Sequence, residues 1–195
     1  MKKIVFAALS LVCAFMCALS YASETSDRLS RDIVRLHIIA NSDSEEDQAL
    51  KLRVRDRLLS STSSELSKED IPSMLDEYRR IAEEEVRESG YDQSVNVEYG
   101  RFDFPTKSYG RLTYPAGEYD AVRITLGDGA GQNWWCVLFP PLCYVRGSVD
   151  SEAAAEELKA MLSPEDYELI TSGEGGRLPV KVKFKIVEWI NSIGR

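Results

Sequence analysis

From residue 33 the apolar side chains alternate with period two, Val34, Leu36, Ile38 and Ala40 on one side and Ile33, Arg35, His37 and Ile39 on the other. That predicts a strand over 33–40 with one fully apolar face and one mixed face. Asn41-Ser42-Asp43-Ser44 then offers oxygen acceptors for orphan amides, and Glu45, Glu46 and Asp47 suit the positive end of a helix dipole, so a helix starts near Ser44 and runs to about Ser60. On it Leu50, Val54 and Leu58 form a stripe flanked by Lys51/Arg55 and Arg53/Arg57, whose stems can lie over apolar neighbours. A second helix fits Lys68 to Ser89, with Ile71, Met74, Leu75, Tyr78, Ile81 and Val86 at helical spacing and Gly90 placed to end it.

After Gly90 the period returns to two. Val95, Val97 and Tyr99 alternate with polar residues, Tyr119 to Leu126 is β-prone, and Trp134 to Phe139 is apolar on both faces, as a central strand would be. Gly127-Asp128-Gly129-Ala130-Gly131 reads as a hairpin turn between two strands. Glu152 to Leu162 and Pro164 to Thr171 look like short helices, and a Gly173-Glu174-Gly175-Gly176 break follows. From Val180 apolar residues alternate with Lys181, Lys183 and Lys185, predicting a strand, and Ile186 to Ile193 fits an amphipathic helix. This order points to an α+β domain, a mostly antiparallel sheet with helices packed on one face.

The N-terminus adds a compartment. Lys2 and Lys3 precede an uncharged run from Ile4 to Leu19, and Ser20-Tyr21-Ala22 places small residues where a signal peptidase reads, so residues 1–22 are expected to be a signal peptide cleaved after Ala22. The apolar run is short for a membrane-spanning anchor, which is the alternative reading. Residues 23–32 form a loose polar leader, and 33–195 is expected to be one domain with a helical extension from about 150. Cleavage moves the formal charge from −8 to −10, which repels phosphate backbones and argues against nucleic acid as a partner. The 44% hydrophobic content excludes general disorder.

Candidate chemistry is sparse. Gly127-x-Gly129-x-Gly131 lacks the lysine and hydroxyl of a phosphate loop. His37 is the only histidine, so a zinc site or a Ser-His or Cys-His nucleophile would have to be built on it, and no spacing supports either. It reads instead as a structural strand residue near the surface. Carboxylate runs such as Glu83-Glu84-Glu85 read as a solvated helix face. No catalytic residue, metal or cofactor is assigned.

The unusual composition lies in Asn133-Trp134-Trp135-Cys136-Val137-Leu138-Phe139-Pro140-Pro141-Leu142-Cys143. Trp134 and Trp135 point to opposite sides of a strand, so one anchors the core and the other faces solvent or a partner; the competing reading buries both rings under the helices. An exposed ring beside Phe139, Pro140, Pro141 and Leu142 would form a recognition patch, with the Asn41-Ser42-Asp43 turn as the next candidate. Cys136 and Cys143 lie seven positions apart, and outside the cell they would close a local disulfide across the proline bend; the alternative is a pair of buried thiols. The lysines at 181, 183 and 185 either protect an edge strand or make a peripheral contact with an anionic membrane surface.

Several of these stretches carry a resemblance. Arg35-Leu36-His37-Ile38-Ile39-Ala40-Asn41-Ser42-Asp43-Ser44, Asp47-Gln48-Ala49-Leu50-Lys51-Leu52-Arg53-Val54-Arg55-Asp56, Gly100-Arg101-Phe102-Asp103-Phe104-Pro105-Thr106-Lys107, Pro115-Ala116-Gly117-Glu118-Tyr119 and the Trp-Trp-Cys segment resemble, in the same order, the stage II sporulation protein R family. A weaker echo lies at 182–189, and 149–177 carries no family motif. The resemblance implies a secreted signal and not an enzyme. Such a protein is exported from the forespore into the intermembrane space facing the mother cell, where it activates a membrane-embedded aspartic protease that processes the precursor of mother-cell sigma-E. The alternative class is an extracytoplasmic, cell-wall-acting hydrolase that uses carboxylates.

Overall fold

The computed structural model describes residues 30–62, 67–109, 112–140 and 152–171, with Val12 and Met16 besides. The expected signal peptide and its cleavage, the strand from Val180, the helix at 186–193 and the lysines of that strand lie outside the described residues, as do Pro141, Leu142 and Cys143. The chain order is β1 (Val34–Ile39), α1 (Glu45–Ser61), a 3-10 turn (Ile71–Met74), α2 (Leu75–Glu88), β2 (Val95–Phe104), β3 (Lys107–Tyr109), β4 (Leu112–Tyr114), β5 (Gly117–Leu126), β6 (Asn133–Phe139), α3 (Glu152–Met161) and α4 (Pro164–Thr171).

Local chemistry accounts for the first helix. The Ser44 side chain accepts from the Asp47 amide at 3.2 Å and caps it, with Glu45, Glu46 and Asp47 in the positively polarised first turn. Residues Leu50, Val54 and Leu58 then point into the core, and burying each is worth about 1.5–3 kcal/mol. The second helix is shorter than its periodicity predicts. Pro72 stands early in the 3-10 turn, and the α-helix proper begins only at Leu75.

The main sheet runs β2-β5-β1-β6. β2 and β5 pair antiparallel, as do β1 and β6, while β1 and β5 are parallel, so the α+β class holds and the sheet is mixed. The chain threads β1 between β5 and β6, which has two consequences for the sequence reading. First, β6 is an edge of the sheet among the described residues and not a central strand; its two apolar faces arise because both are covered. Second, the glycine-rich segment 127–131 joins strands that are not neighbours, so it is a crossover past the end of β1 and not a hairpin turn. Local turn chemistry is the same for both arrangements, and only the inserted strand distinguishes them.

The two faces of β1 are buried differently. Val34, Leu36 and Ile38 pack under α1 and α2 with Val122, Ile124 and Leu138. On the other face a second cluster gathers Ile33, Phe104, Tyr119, Ala121 and Val137 with Leu112 and Tyr114 of the small β3–β4 sheet and Leu158, Leu162 and Ile170 of α3 and α4. The long helices thus cover one face as expected, and the two short ones add a layer on the opposite side.

Candidate functional site

The mixed face of β1 carries the least ordinary group in the molecule. Arg35 is completely buried, and its guanidinium stands 4.6 Å from the ring centre of Phe104, 5.1 Å from Tyr119, 5.5 Å from Tyr114 and 6.0 Å from Tyr109. Nε donates to the Cys136 carbonyl at 3.0 Å and Nη2 to the Tyr109 hydroxyl at 3.2 Å, which in turn donates to the Trp135 carbonyl at 3.0 Å. No carboxylate among the described residues pairs with it. Nη1 is buried without a hydrogen-bond partner, and so is the Tyr114 hydroxyl. Each buried donor left so costs about 1–3 kcal/mol. Burial drives the phenols of Tyr114 and Tyr119 far above the usual tyrosine range, with the nearby Arg35 charge opposing, so both remain protonated donors.

Two residues along the same face, His37 is buried and not near the surface as its sequence context predicts. Its ring stacks on Trp135 at 3.7 Å, and Nε2 donates to Asn133 Oδ1 at 2.7 Å. Desolvation lowers its pKa to about 4, with the Asn133 bond opposing, so it is neutral at physiological pH. Trp135 also meets Phe104 edge-on at 4.7 Å, and the aromatic layer is continuous from Asn133 to Tyr119.

The other residues singled out by sequence are placed apart. Trp134 lies on the opposite side of β6, half-buried against the main core, with the Arg55 guanidinium 5.1 Å over its ring. Trp135 is half-buried too, so the two rings occupy different faces and neither stands free in solvent. Phe139 is partly buried beside the α1–α2 core, and Pro140, joined to it by a cis peptide, is buried. Cys136 is buried; the expected bridge to Cys143 lies outside the described residues.

Asn41, Ser42 and Asp43 are engaged in holding the chain crossover. Asp47, buried at the start of α1, accepts from Ser42 Oγ at 2.6 Å, Asn41 Nδ2 at 2.9 Å and Gln93 Nε2 at 2.6 Å. Asn41 Oδ1 accepts from the Asp128 amide at 2.9 Å and Asp43 Oδ1 from the Gln132 amide at 2.7 Å. The amides of Ala130 and Gly131 donate to the carbonyls of Asn41 and Ala40 at 3.0 and 2.9 Å. Lys51 Nζ donates to the Gln132 carbonyl at 2.9 Å. The glycines are required by this fit: Gly127 has a φ of +54°, and a Cβ on Gly131 would sit 2.2 Å from the Ser42 carbonyl oxygen. The polar motif after β1 is therefore a clamp between three segments.

Paired carboxylates do not emerge from the acidic run of α2. Glu84 and Glu85 face Arg57 of α1 at 3.6 and 3.1 Å, which ties the two helices together at their surface. Among the described residues no group of three or more His, Cys, Asp or Glu could hold a metal ion, and no helix is long and apolar enough to cross a membrane. Sequence reasoning missed Arg35, Tyr109, Tyr114 and Tyr119 as one assembly; the available signal was an arginine at an inward strand position between Val34 and Leu36.

The described residues thus form a small α+β domain with a single neutral histidine, ion-paired surface acids and a buried cation in an aromatic layer. The family model for stage II sporulation protein R matches residues 30–149, and the chain belongs to that family. It is 39% identical over 180 residues to "Stage II sporulation protein R" of Bacillus subtilis (strain 168), covering 82% of this chain and 80% of that relative. No solved structure matches the chain. The family membership makes this a sporulation protein, and that relative is not named as an enzyme.

Proposed function

We propose that the chain is an exported signal of endospore formation that activates a membrane-embedded aspartic protease, which then processes the precursor of mother-cell sigma-E. The observation that carries this reading is the family match over residues 30–149. The N-terminal segment fits it: a basic start, an apolar middle and small residues before Ser23 deliver a protein made in the forespore to the space facing the mother cell. In that compartment Cys136 and Cys143 would join. The protein acts as a ligand and not as an enzyme. A ligand shifts a protease toward its active state only by binding that state more tightly, so the activity resides in a contact surface.

The segment around β6 remains the surface we favour for that contact. Trp135→Ala, Phe139→Ala and Leu142→Ala are the variants to test, with thermal unfolding and export level measured beside sigma-E processing, because the half-buried rings also support the fold. The mature chain is expected to co-purify with the extracytoplasmic portion of the protease and to stimulate processing when added to it. Processing that proceeds at the full rate in cells lacking this chain would overturn the reading.

A further inference from the structure

Arg35 carries a positive charge in a fully buried position, and its Nη1 has no hydrogen-bond partner. The rings of Phe104, Tyr119 and Tyr114 lie with their centres 4.6, 5.1 and 5.5 Å from its guanidinium carbon. Cation–π contact of that kind leaves the in-plane N–H groups unanswered, and these are where a guanidinium takes its acceptors. The Tyr114 hydroxyl, on a ring 5.5 Å from the same guanidinium, is a second buried donor without an acceptor. A buried cation with no carboxylate partner among the described residues and two buried donors without acceptors thus lie in one aromatic cluster, which is the donor set an anion with acceptor oxygens requires.

We propose that Arg35 and Tyr114 form a receptor for a carboxylate, free or carried on a polypeptide. Charge stoichiometry selects the class. One monoanion neutralises one guanidinium, whereas the second charge of a phosphate ester would lie among phenyl and phenol rings with nothing to balance it. The planar fork of arginine also matches a carboxylate in shape. The side of the guanidinium nearest solvent would be the one that Tyr109 covers. Phe104, Tyr114 and Tyr119 are buried, while Tyr109 is half-buried, and its hydroxyl is the acceptor now held by Nη2. A carboxylate oxygen taking that place exchanges a neutral acceptor for an ionic one, and the second oxygen then reaches the idle Nη1. The β3–β4 pair that carries Tyr109 forms its own two-stranded sheet, separate from the main ladder.

The test uses the chain from Ser23 onward and follows the arginine Nε–Hε resonances and tryptophan emission. The probes are sodium acetate, a short apolar peptide with a free C-terminal carboxylate, and the same peptide amidated, with sodium chloride at matched ionic strength. A saturable change is expected with a carboxylate probe and not with chloride or the amide. Acetate and peptide acting alike indicates a receptor for any accessible carboxylate. A response to the free-acid peptide alone indicates a polypeptide ligand, and a response to acetate alone a small free acid. Tyr114→Phe deletes a buried unpartnered hydroxyl and should fold at least as well, yet bind about tenfold more weakly, the loss expected for one hydrogen bond to a charged group. Arg35→Met should abolish the response. The proposal is overturned if neither carboxylate probe gives a saturable change, or if folded Tyr114→Phe binds as tightly as the unaltered chain.

Discussion

Replacing Asp47 tests whether the motif after β1 is a structural clamp. Its carboxylate accepts from Ser42, Asn41 and Gln93 at 2.6, 2.9 and 2.6 Å and lies in the first turn of α1. Hydrogen bonds to a charged acceptor contribute about 1.5–3 kcal/mol each and are not additive, and a first-turn acid adds about 0.3–1 kcal/mol through the helix dipole. Asp47→Asn keeps the shape and one acceptor oxygen, removes the charge and turns a donor toward donors, so we expect a loss of about 2–3 kcal/mol. Asp47→Ala strands all three donors and should lose about 3–5 kcal/mol, a large share of the total stability of a domain this size. The pH dependence separates this account from simple damage. The bonds from Ser42 first, and then Asn41, hold the Asp47 carboxyl below the ordinary aspartate range against the opposing effect of burial. A lowered folded pKa means the stabilisation is complete above the unfolded value and is lost as the pH falls through the folded one. Urea unfolding followed by tryptophan fluorescence at pH 7 and at steps below pH 4 should therefore show the gap between wild type and Asp47→Asn closing in acid. An Asp47→Asn protein as stable as wild type at pH 7, or a gap unchanged down to the acid limit of folding, would refute the reasoning.

Two further outcomes rest on the structure and a third on the disulfide expected from the sequence. The single histidine gives one isolated imidazole resonance, and its titration midpoint should lie near pH 4; because the folded pKa is lowered, stability should decline as pH drops below the ordinary histidine value, and a midpoint near that ordinary value would mean His37 is not buried against Trp135. Gly131→Ala should destabilise by about 2–3 kcal/mol, measured by urea unfolding, since its Cβ meets backbone atoms of Ser42 at 2.2 and 2.5 Å that cannot move aside; a neutral effect would mean the crossover sits off the end of β1. Thiol labelling of the denatured, unreduced exported protein should modify neither Cys136 nor Cys143, and reduction should lower stability by about 2 kcal/mol; two labelled cysteines would sink the bridge.

Local elements were legible where local physics decides them. The acceptors at 41–44, the Leu50/Val54/Leu58 stripe and the alternation of β1 each depend on residues within one or two turns, and α1 begins at Glu45, one residue from the start expected near Ser44. β3 and β4 are not legible because three residues cannot display a period, and Pro105, Gly110 and Pro115 around them are turn-forming residues. Strand order was not legible at all. Nothing near Gly127 reports that β1, some ninety positions earlier, lies between the strands on either side of it. The site shares this limit: the mixed face of β1 was visible, but that both Arg35 and His37 would be enclosed, and by which rings, depended on residues far along the chain, among them Tyr114 of β4 and Trp135 of β6.

If the chain is exported as proposed, the placement of β1 bears on how it would leave the cell. Its earliest strand pairs only with β5 and β6, and the Arg35 bond to the Cys136 carbonyl closes a separation of 101 positions. A polypeptide that emerges N-terminus first exposes β1 long before either flanking strand arrives, and closing so long a loop is slow compared with forming helices. Threading through a membrane channel demands a chain that has not yet collapsed. An architecture whose centre cannot assemble until residue 139 has appeared meets that demand by its connectivity alone, and would keep the molecule translocation-competent without a chaperone dedicated to holding it open.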